Sequence, residues 1–341
     1  MKRILIFTLL SLSVACGPQT TKQADEPQRI IFDTDLGNDI DDVLALQMLL
    51  NYQKEGKIDL LGITLCKANP ATIAFTDGFC RFNGFEEIPL GYAYHGVTPE
   101  DGTYLLPTLE ASNNGKPLLQ PARTIDSALP EGYKLLRQLL AAQPDGSVVL
   151  IAIGPLTNIG NLLVSPGDEI SPLTGRELVA AKVSRVVTMA GLFSDEFDFP
   201  EYNVVCDIEA AHRTFESCPV PLTTTGWEVG NRLLYPHKSI LSDFGDPQAH
   251  PLAVAYCHYM EMPYDRQTWD LTAVLEAVEP GQWFGTSEQG TIRIAEDGRS
   301  SFEPSENGLQ NYLTIPQERV AATLGALVAR TTGKPIENQK P

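Results

Sequence analysis

The segment Ile30-Ile31-Phe32-Asp33-Thr34-Asp35-Leu36-Gly37-Asn38-Asp39-Ile40-Asp41-Asp42 places five carboxylates within ten residues, directly behind an apolar, β-prone run. The run reads as a strand. Asp41 onward, with Leu46, Leu49 and Leu50 at helical spacing, reads as a helix to about residue 51. The point where a strand gives way to a helix is where α/β proteins set their chemistry. Five crowded anions repel one another, so a cation, a set of donors or open solvent must compensate them. A hard metal ion is the simplest answer, because the cluster offers oxygen and no nitrogen or sulfur donor.

Outward from this segment, strand-length runs rich in Val, Ile, Leu or Thr recur at 58–65, 88–92, 147–153, 184–189 and 220–224. Segments 133–142 and 156–163 carry apolar residues at helical spacing, so strand and helix alternate. The expected fold is α/β, a mostly parallel central sheet with helices on both faces and a Rossmann-like core. Two regions break the alternation. Residues 95–124 are rich in Gly, Pro, Asn and Ser and read as a lid, a binding loop or a locally disordered stretch. Residues 290–294 and 300–302 flank Asp297-Gly298, a hairpin signal, and a last helix beginning near Pro316 should dock Val320, Leu324, Leu327 and Val328 on the body.

The 43 acidic against 25 basic residues give a formal net charge of -18, which argues against a nucleic-acid or anionic-membrane surface. Met1-Lys2-Arg3, an apolar run over 4–12 and Ser13-Val14-Ala15-Cys16 read as a leader too short to span a bilayer permanently. Cys16 behind small residues resembles a bacterial lipobox. That implies a signal peptide over 1–15, acylation of Cys16, and an exported lipoprotein that is periplasmic or anchored at the outer membrane. An ordinary secretory signal is the alternative. A flexible tether over 16–28, one catalytic domain over 29–333 and a disordered tail over 334–341 complete the expected organisation. The cysteines at 66, 80, 206, 218 and 257 show no CxxC spacing and are expected as buried free thiols.

Spacing separates the motifs that share this acidity. Counted from Asp33, Gly37 is fifth and Leu44 twelfth, whereas an EF-hand needs Gly at the sixth position and Glu at the twelfth. A haloacid-dehalogenase-like phosphatase also begins with two Asp residues one apart, yet it expects Thr or Val where Gly37 stands. A solvated acidic helix start explains Asp41 and Asp42 but not Asp33 and Asp35. Those two are one residue apart, so on an extended strand they point the same way and can converge on one ion.

The chain resembles the calcium-dependent nucleoside N-ribohydrolases of the inosine-uridine type, whose first strand ends in a DTDPGxDD-like turn. Ordered matches continue through Gly62-Ile63-Thr64 to Asn69, Ala152-Ile153-Gly154-Pro155-Leu156-Thr157-Asn158, Met189-Ala190-Gly191, Glu201-Tyr202-Asn203 with Asp207, and Trp269-Asp270. The resemblance implies that Asp35, Asp42, the Thr157 carbonyl and Asp270 bind Ca²⁺, with Asp33 supporting them from behind. It further implies that Asp41 and Asn69 hold the 2′ side of ribose, Asn203 the 3′-hydroxyl and Glu201 the 5′-hydroxyl, with Met189 packing near the sugar. Asp35 would take a proton from the attacking water. Two extra residues between Gly37 and Asp41 leave Asp39 as an alternative to one helix-start carboxylate.

Trp269 stands where pyrimidine-accepting members carry His, which resembles the purine-preferring members. Tyr94 and His95 are further candidates near the base. The implied activity is hydrolysis of ribonucleosides, leaning to purines. The implied partner is a small-molecule nucleoside, with no nucleic acid, membrane contact by the lipid anchor only, and room for a homo-oligomer. A non-catalytic nucleoside- or sugar-binding lipoprotein on the same scaffold is the alternative in another class, and the phosphatase a third.

Overall fold

The protein is described by a computed structural model over residues 26–336. The leader 1–15, Cys16 and the tether up to residue 25 lie outside the described residues, as do 337–341. Of the tail expected to be disordered from 334, Lys334 instead pairs with Asp243 at 2.7 Å and Ile336 packs on the core.

Six strands, β1 (Gln28–Thr34), β2 (Ile58–Lys67), β3 (Leu90–Val97), β4 (Val148–Ala152), β5 (Val183–Met189) and β6 (Leu222–Thr225), pair in parallel in the order β6-β5-β4-β1-β2-β3. The expected hairpin forms from β7 (Gly290–Ile294) and β8 (Ser300–Pro304), with Gly298 at φ 83 in its turn. A further strand, β9 (Gln310–Thr314), joins it to β6. The sheet is therefore mostly parallel with an antiparallel margin, as the alternation predicts.

The central strand β1 shows why both faces are covered. Ile30 and Phe32 enter one core with α1 (Asp41–Lys54), α6 (Trp269–Val278) and α7 (Val320–Thr332). Ile31 enters the other with α3 (Gly132–Ala141), α4 (Thr157–Val164) and α5 (Ile208–Ser217). Alternate side chains of one strand serve opposite layers, the pattern of a strand buried on both faces. Helix α1 carries Asp41 and Asp42 in its first turn, where negative charge complements the helix dipole.

The stretch 95–124 is not an open lid. Beyond β3 it forms a short helix, Leu105–Glu110, and a two-strand ladder, Ser112–Asn113 against Lys116–Pro117. Tyr104 is fully buried beneath it. On α2 (Ala71–Phe82), Asp77 accepts hydrogen bonds from the Ala122 and Arg123 backbone and from Arg123 Nε at 2.6 Å, which pins the far end. The cysteines at 66, 80, 206, 218 and 257 are free, but against expectation Cys206 and Cys218 are only half-buried and Cys257 is exposed. Among the described residues no helix is long and apolar enough to cross a membrane.

Candidate active site

Strand β1 stops at Thr34, and the chain after it is folded by local polar contacts. Thr34 Oγ1 accepts from Leu36 N at 3.1 Å and donates to Asp42. Gly37 lies at φ 121, and a Cβ there would come within 2.6 Å of Leu105, so only glycine serves. Tyr104 Oη accepts from Gly37 N at 2.7 Å and donates to the Asp39 carbonyl at 2.8 Å, tying the loop to the segment that covers it. Lys67, fully buried at the end of β2, donates to Thr98 O at 2.7 Å and to Asn38 Oδ1. That contact turns Asn38 Nδ2 onto Asp35 Oδ2 at 2.6 Å.

A cavity of about 310 Å³ opens here. Asp35, Asp41, Asp42 and Asp270 form its acidic side, and Ile153, Met189, Glu201 and Asn203 another. Trp227, Tyr259, Arg266 and Trp269 make an aromatic wall carrying one cation. Helices α1 and α6 bring their first turns together, with Asp270 N donating to Asp41 Oδ2 at 3.1 Å. Asp41 Oδ1 is buried with no partner.

The electrostatics follow from this crowding. Burial lifts Asp35 to about 6, and burial together with neighbouring carboxylates raises Asp41, Asp42 and Asp270 well above the usual range. Burial also raises Glu201 to about 7, although its carboxylate accepts from the backbone N–H groups of Gly191, Asn203 and Val204. Asn203 Nδ2 donates to the carbonyls of Ile153 at 2.9 Å and Met189 at 3.1 Å, which leaves its Oδ1 as the cavity-side acceptor. Among the described residues no three His, Cys, Asp or Glu groups stand gathered as a ready metal cage. The aspartates nevertheless share one wall and raise one another's pKa, the mark of missing countercharge.

Several expected site residues lie elsewhere. Asp33 keeps the phase of Ile31 and turns toward α4, where its Oδ1 accepts from Asn158 Nδ2 at 2.7 Å and Thr64 Oγ1 at 2.5 Å. It is fully buried, raised to about 7 by that burial, and off the cavity wall. It therefore does not converge with Asp35 on one ion, a position behind the wall that leaves the supporting place implied by the resemblance open, and it offers no exposed nucleophile to a phosphatase. Thr157 opens α4 with its hydroxyl on Asp207 at 2.7 Å and does not line the cavity. Ile153, where β4 has just ended, takes that place. Asn69 is occupied by Pro99 O, Asp101 and Ala71 N, also away from the cavity. Tyr94 is exposed and exchanges hydrogen bonds with the Leu129 backbone, and His95 is exposed as well. Asp39 lines the cavity but is paired with Arg266, which removes it as a free ligand.

The sequence reading missed Asn38, Ile153, Tyr202, Trp227, Tyr259 and Arg266 on the wall, and Lys67 behind it. Only Lys67 carried a signal, a charged residue closing the mostly apolar run 60–66.

The sequence profile described as "Inosine-uridine preferring nucleoside hydrolase" matches residues 30–337. The pyrimidine-specific ribonucleoside hydrolase RihB of Escherichia coli (strain SE11) is 28% identical over 219 residues, which is 61% of this chain. The chain spans 62% of the length of that relative. Among solved structures, the plant nucleoside hydrolase PpNRh1 superposes with a TM-score of 0.65 at 22% identity, covering 90% of this chain and 99% of its own. The purine-preferring ribonucleoside hydrolase from Gardnerella vaginalis gives 0.67 at 18%, covering 90% and 98%. At these identities the superpositions bear on the fold. The profile extends over nearly the whole described chain, from the strand that carries the acidic turn to the last helix. This chain belongs to the inosine-uridine preferring nucleoside hydrolase family.

Proposed function

We propose that the protein hydrolyses the N-glycosidic bond of ribonucleosides, releasing ribose and free base, with Ca²⁺ as its ion and a preference for purines. The observation that carries this reading is one cavity joining four buried aspartates, polar groups suited to sugar hydroxyls and an aromatic wall. The donor set fits a hard cation. It is all oxygen, and a Cβ on Gly154 would sit 2.6 Å from Asp35 Oδ1, so the glycine keeps that oxygen free. Asp35, Asp42 and Asp270 would hold the ion, with the Ile153 carbonyl in place of Thr157. Bound there, a divalent cation supplies the charge that acidifies water and grips a ribose diol.

The chain's own groups do the rest. Asp35 takes the proton of the attacking water while water oxygen bonds to C1′ and the C1′–N electron pair leaves with the base. Asp41 Oδ1, Asn203 Oδ1 and the remaining lone pairs of Glu201 accept ribose hydroxyls, and the carboxylates stabilise positive charge developing on the sugar. Because those acceptors are buried, a substrate lacking a hydroxyl leaves one unpaired and is disfavoured. Trp227, Tyr259 and Trp269 support a purine by stacking, and no histidine is among the cavity-lining residues. The pyrimidine-specific relative carries its name on its own account. Anchorage to a bacterial membrane through acylated Cys16 is part of the same proposal, resting on the lipobox-like leader.

The test is to incubate the full chain with inosine, adenosine, uridine and a phosphate ester, with calcium or with chelator. Calcium-dependent release of reducing sugar, fastest from a purine nucleoside, is expected. Saturable binding without products would mean a non-catalytic binder, and release of phosphate a phosphatase.

A further inference from the structure

We propose that Arg266 reads the departing base and selects 6-oxopurines over 6-aminopurines. This rests on the hydrolase reading above and adds to it the base class. Arg266 lies in a two-residue strand, Arg266–Gln267, paired with Leu234–Tyr235, so its backbone is fixed. Its guanidinium carbon stands 4.9 Å from the Trp269 ring centroid and 5.0 Å from that of Tyr259. Nε donates to Asp39 Oδ1 at 2.8 Å and Nη2 to the other oxygen of the same carboxylate. The fork is thereby locked in rotation as well as in position.

What the lock leaves over is the useful part. Nη1 makes only a long contact, 3.5 Å, to Gln267 Oε1, so at most three of the five guanidinium N–H groups are engaged. The side chain lines the cavity and is the only Lys, Arg or His to do so among the described residues. A planar donor held against aromatic rings beside a cavity suits a flat ligand with two adjacent acceptors. Hypoxanthine and guanine offer O6 and N7 in that arrangement. Adenine offers N7 beside an N6 amino donor, which confronts the guanidinium N–H groups.

The fit is also to the reaction. When the C1′–N9 bond breaks, its electron pair passes to the base, and water oxygen replaces nitrogen on C1′. The proton from water goes to Asp35, and the base anion takes its own proton from solvent. Arg266 transfers no proton, because guanidinium does not deprotonate in proteins. It donates to O6 and N7, where the base spreads its new negative charge, so its contribution grows toward the transition state.

The experiment compares kcat/KM for inosine and adenosine in the calcium-loaded wild type, Arg266→Gln and Arg266→Lys. The wild type should favour inosine by roughly tenfold to hundredfold, and Arg266→Gln should bring the ratio within about threefold of unity, with Arg266→Lys between. A purely structural role would slow both substrates together and leave the ratio unchanged, which overturns the assignment. A wild-type ratio near one overturns it without any variant. If the wild type turns over no nucleoside, the hydrolase reading itself falls and takes this one with it, a pattern distinct from a flat ratio.

Discussion

At the scale of single residues, Asp35 shows how position makes a carboxylate useful. It stands one residue past the end of β1, buried, raised to about 6 by that burial, with Asn38 Nδ2 on one oxygen and the space of Gly154 beside the other. An amide in place of this carboxylate can keep the Asn38 contact through its own oxygen and removes one charge from a repelling group. Asp35→Asn is therefore expected to lower kcat/KM by roughly 100-fold to 10,000-fold while the thermal midpoint stays level or rises. Reducing-sugar assays and a circular dichroism melt check both halves. Near-native turnover would remove Asp35 as the base.

At the scale of elements, Asp77 on α2 joins a helix to the segment that covers the site. Its carboxylate accepts from Arg81 Nε at 3.0 Å, Arg123 Nε at 2.6 Å and two backbone N–H groups. Burial alone would raise its pKa, but these donors hold it below the usual carboxylate value. The ionised form is thus bound more tightly in the folded state. Its stabilisation is complete above the unfolded pKa of about 4 and is lost as pH falls through the lower folded value. Asp77→Asn should cost about 2–3 kcal/mol at pH 7, with a smaller deficit once the pH drops below about 4. Urea unfolding at pH 7 and pH 3 measures the difference, and an equal deficit at both would refute the charged role.

At the scale of the whole molecule, one sheet carries two cores and the last helix is tied back onto α1. Glu279 accepts from Tyr52 of α1 at 2.8 Å, Trp283 at 2.8 Å and Arg330 of α7 at 2.6 Å, while Asn51 Nδ2 donates to the carbonyls of Arg330 and Thr331. With a net charge of -18, attraction to anionic lipid would not hold such a body at a membrane, so retention there would rest on the proposed anchor. In a bacterial host, Cys16→Ser should abolish incorporation of labelled palmitate and move the protein to the soluble fraction with turnover intact. Undiminished labelling in the variant would exclude Cys16 as the acylated residue.

The alternation of strand and helix was legible in the sequence because burial on both sheet faces writes continuous apolar runs, and the acidic turn was legible because its charge is improbable without a ligand. Asp35, Asp41, Asp42, Met189, Glu201, Asn203, Trp269 and Asp270 all reach one cavity. Which neighbours complete that cavity only the tertiary structure decided. Asp33, still inside β1, follows the phase of Ile31 to Asn158, whereas Asp35 lies past the strand end and reaches the pocket, and the end of β4 presents Ile153 in place of Thr157. The segment after β3 claims Asn69, and Arg266 meets Asp39 across 227 residues of sequence. Local pattern records which face of an element is buried; contacts between elements distant in the chain are set by how the layers pack, and no periodicity carries them.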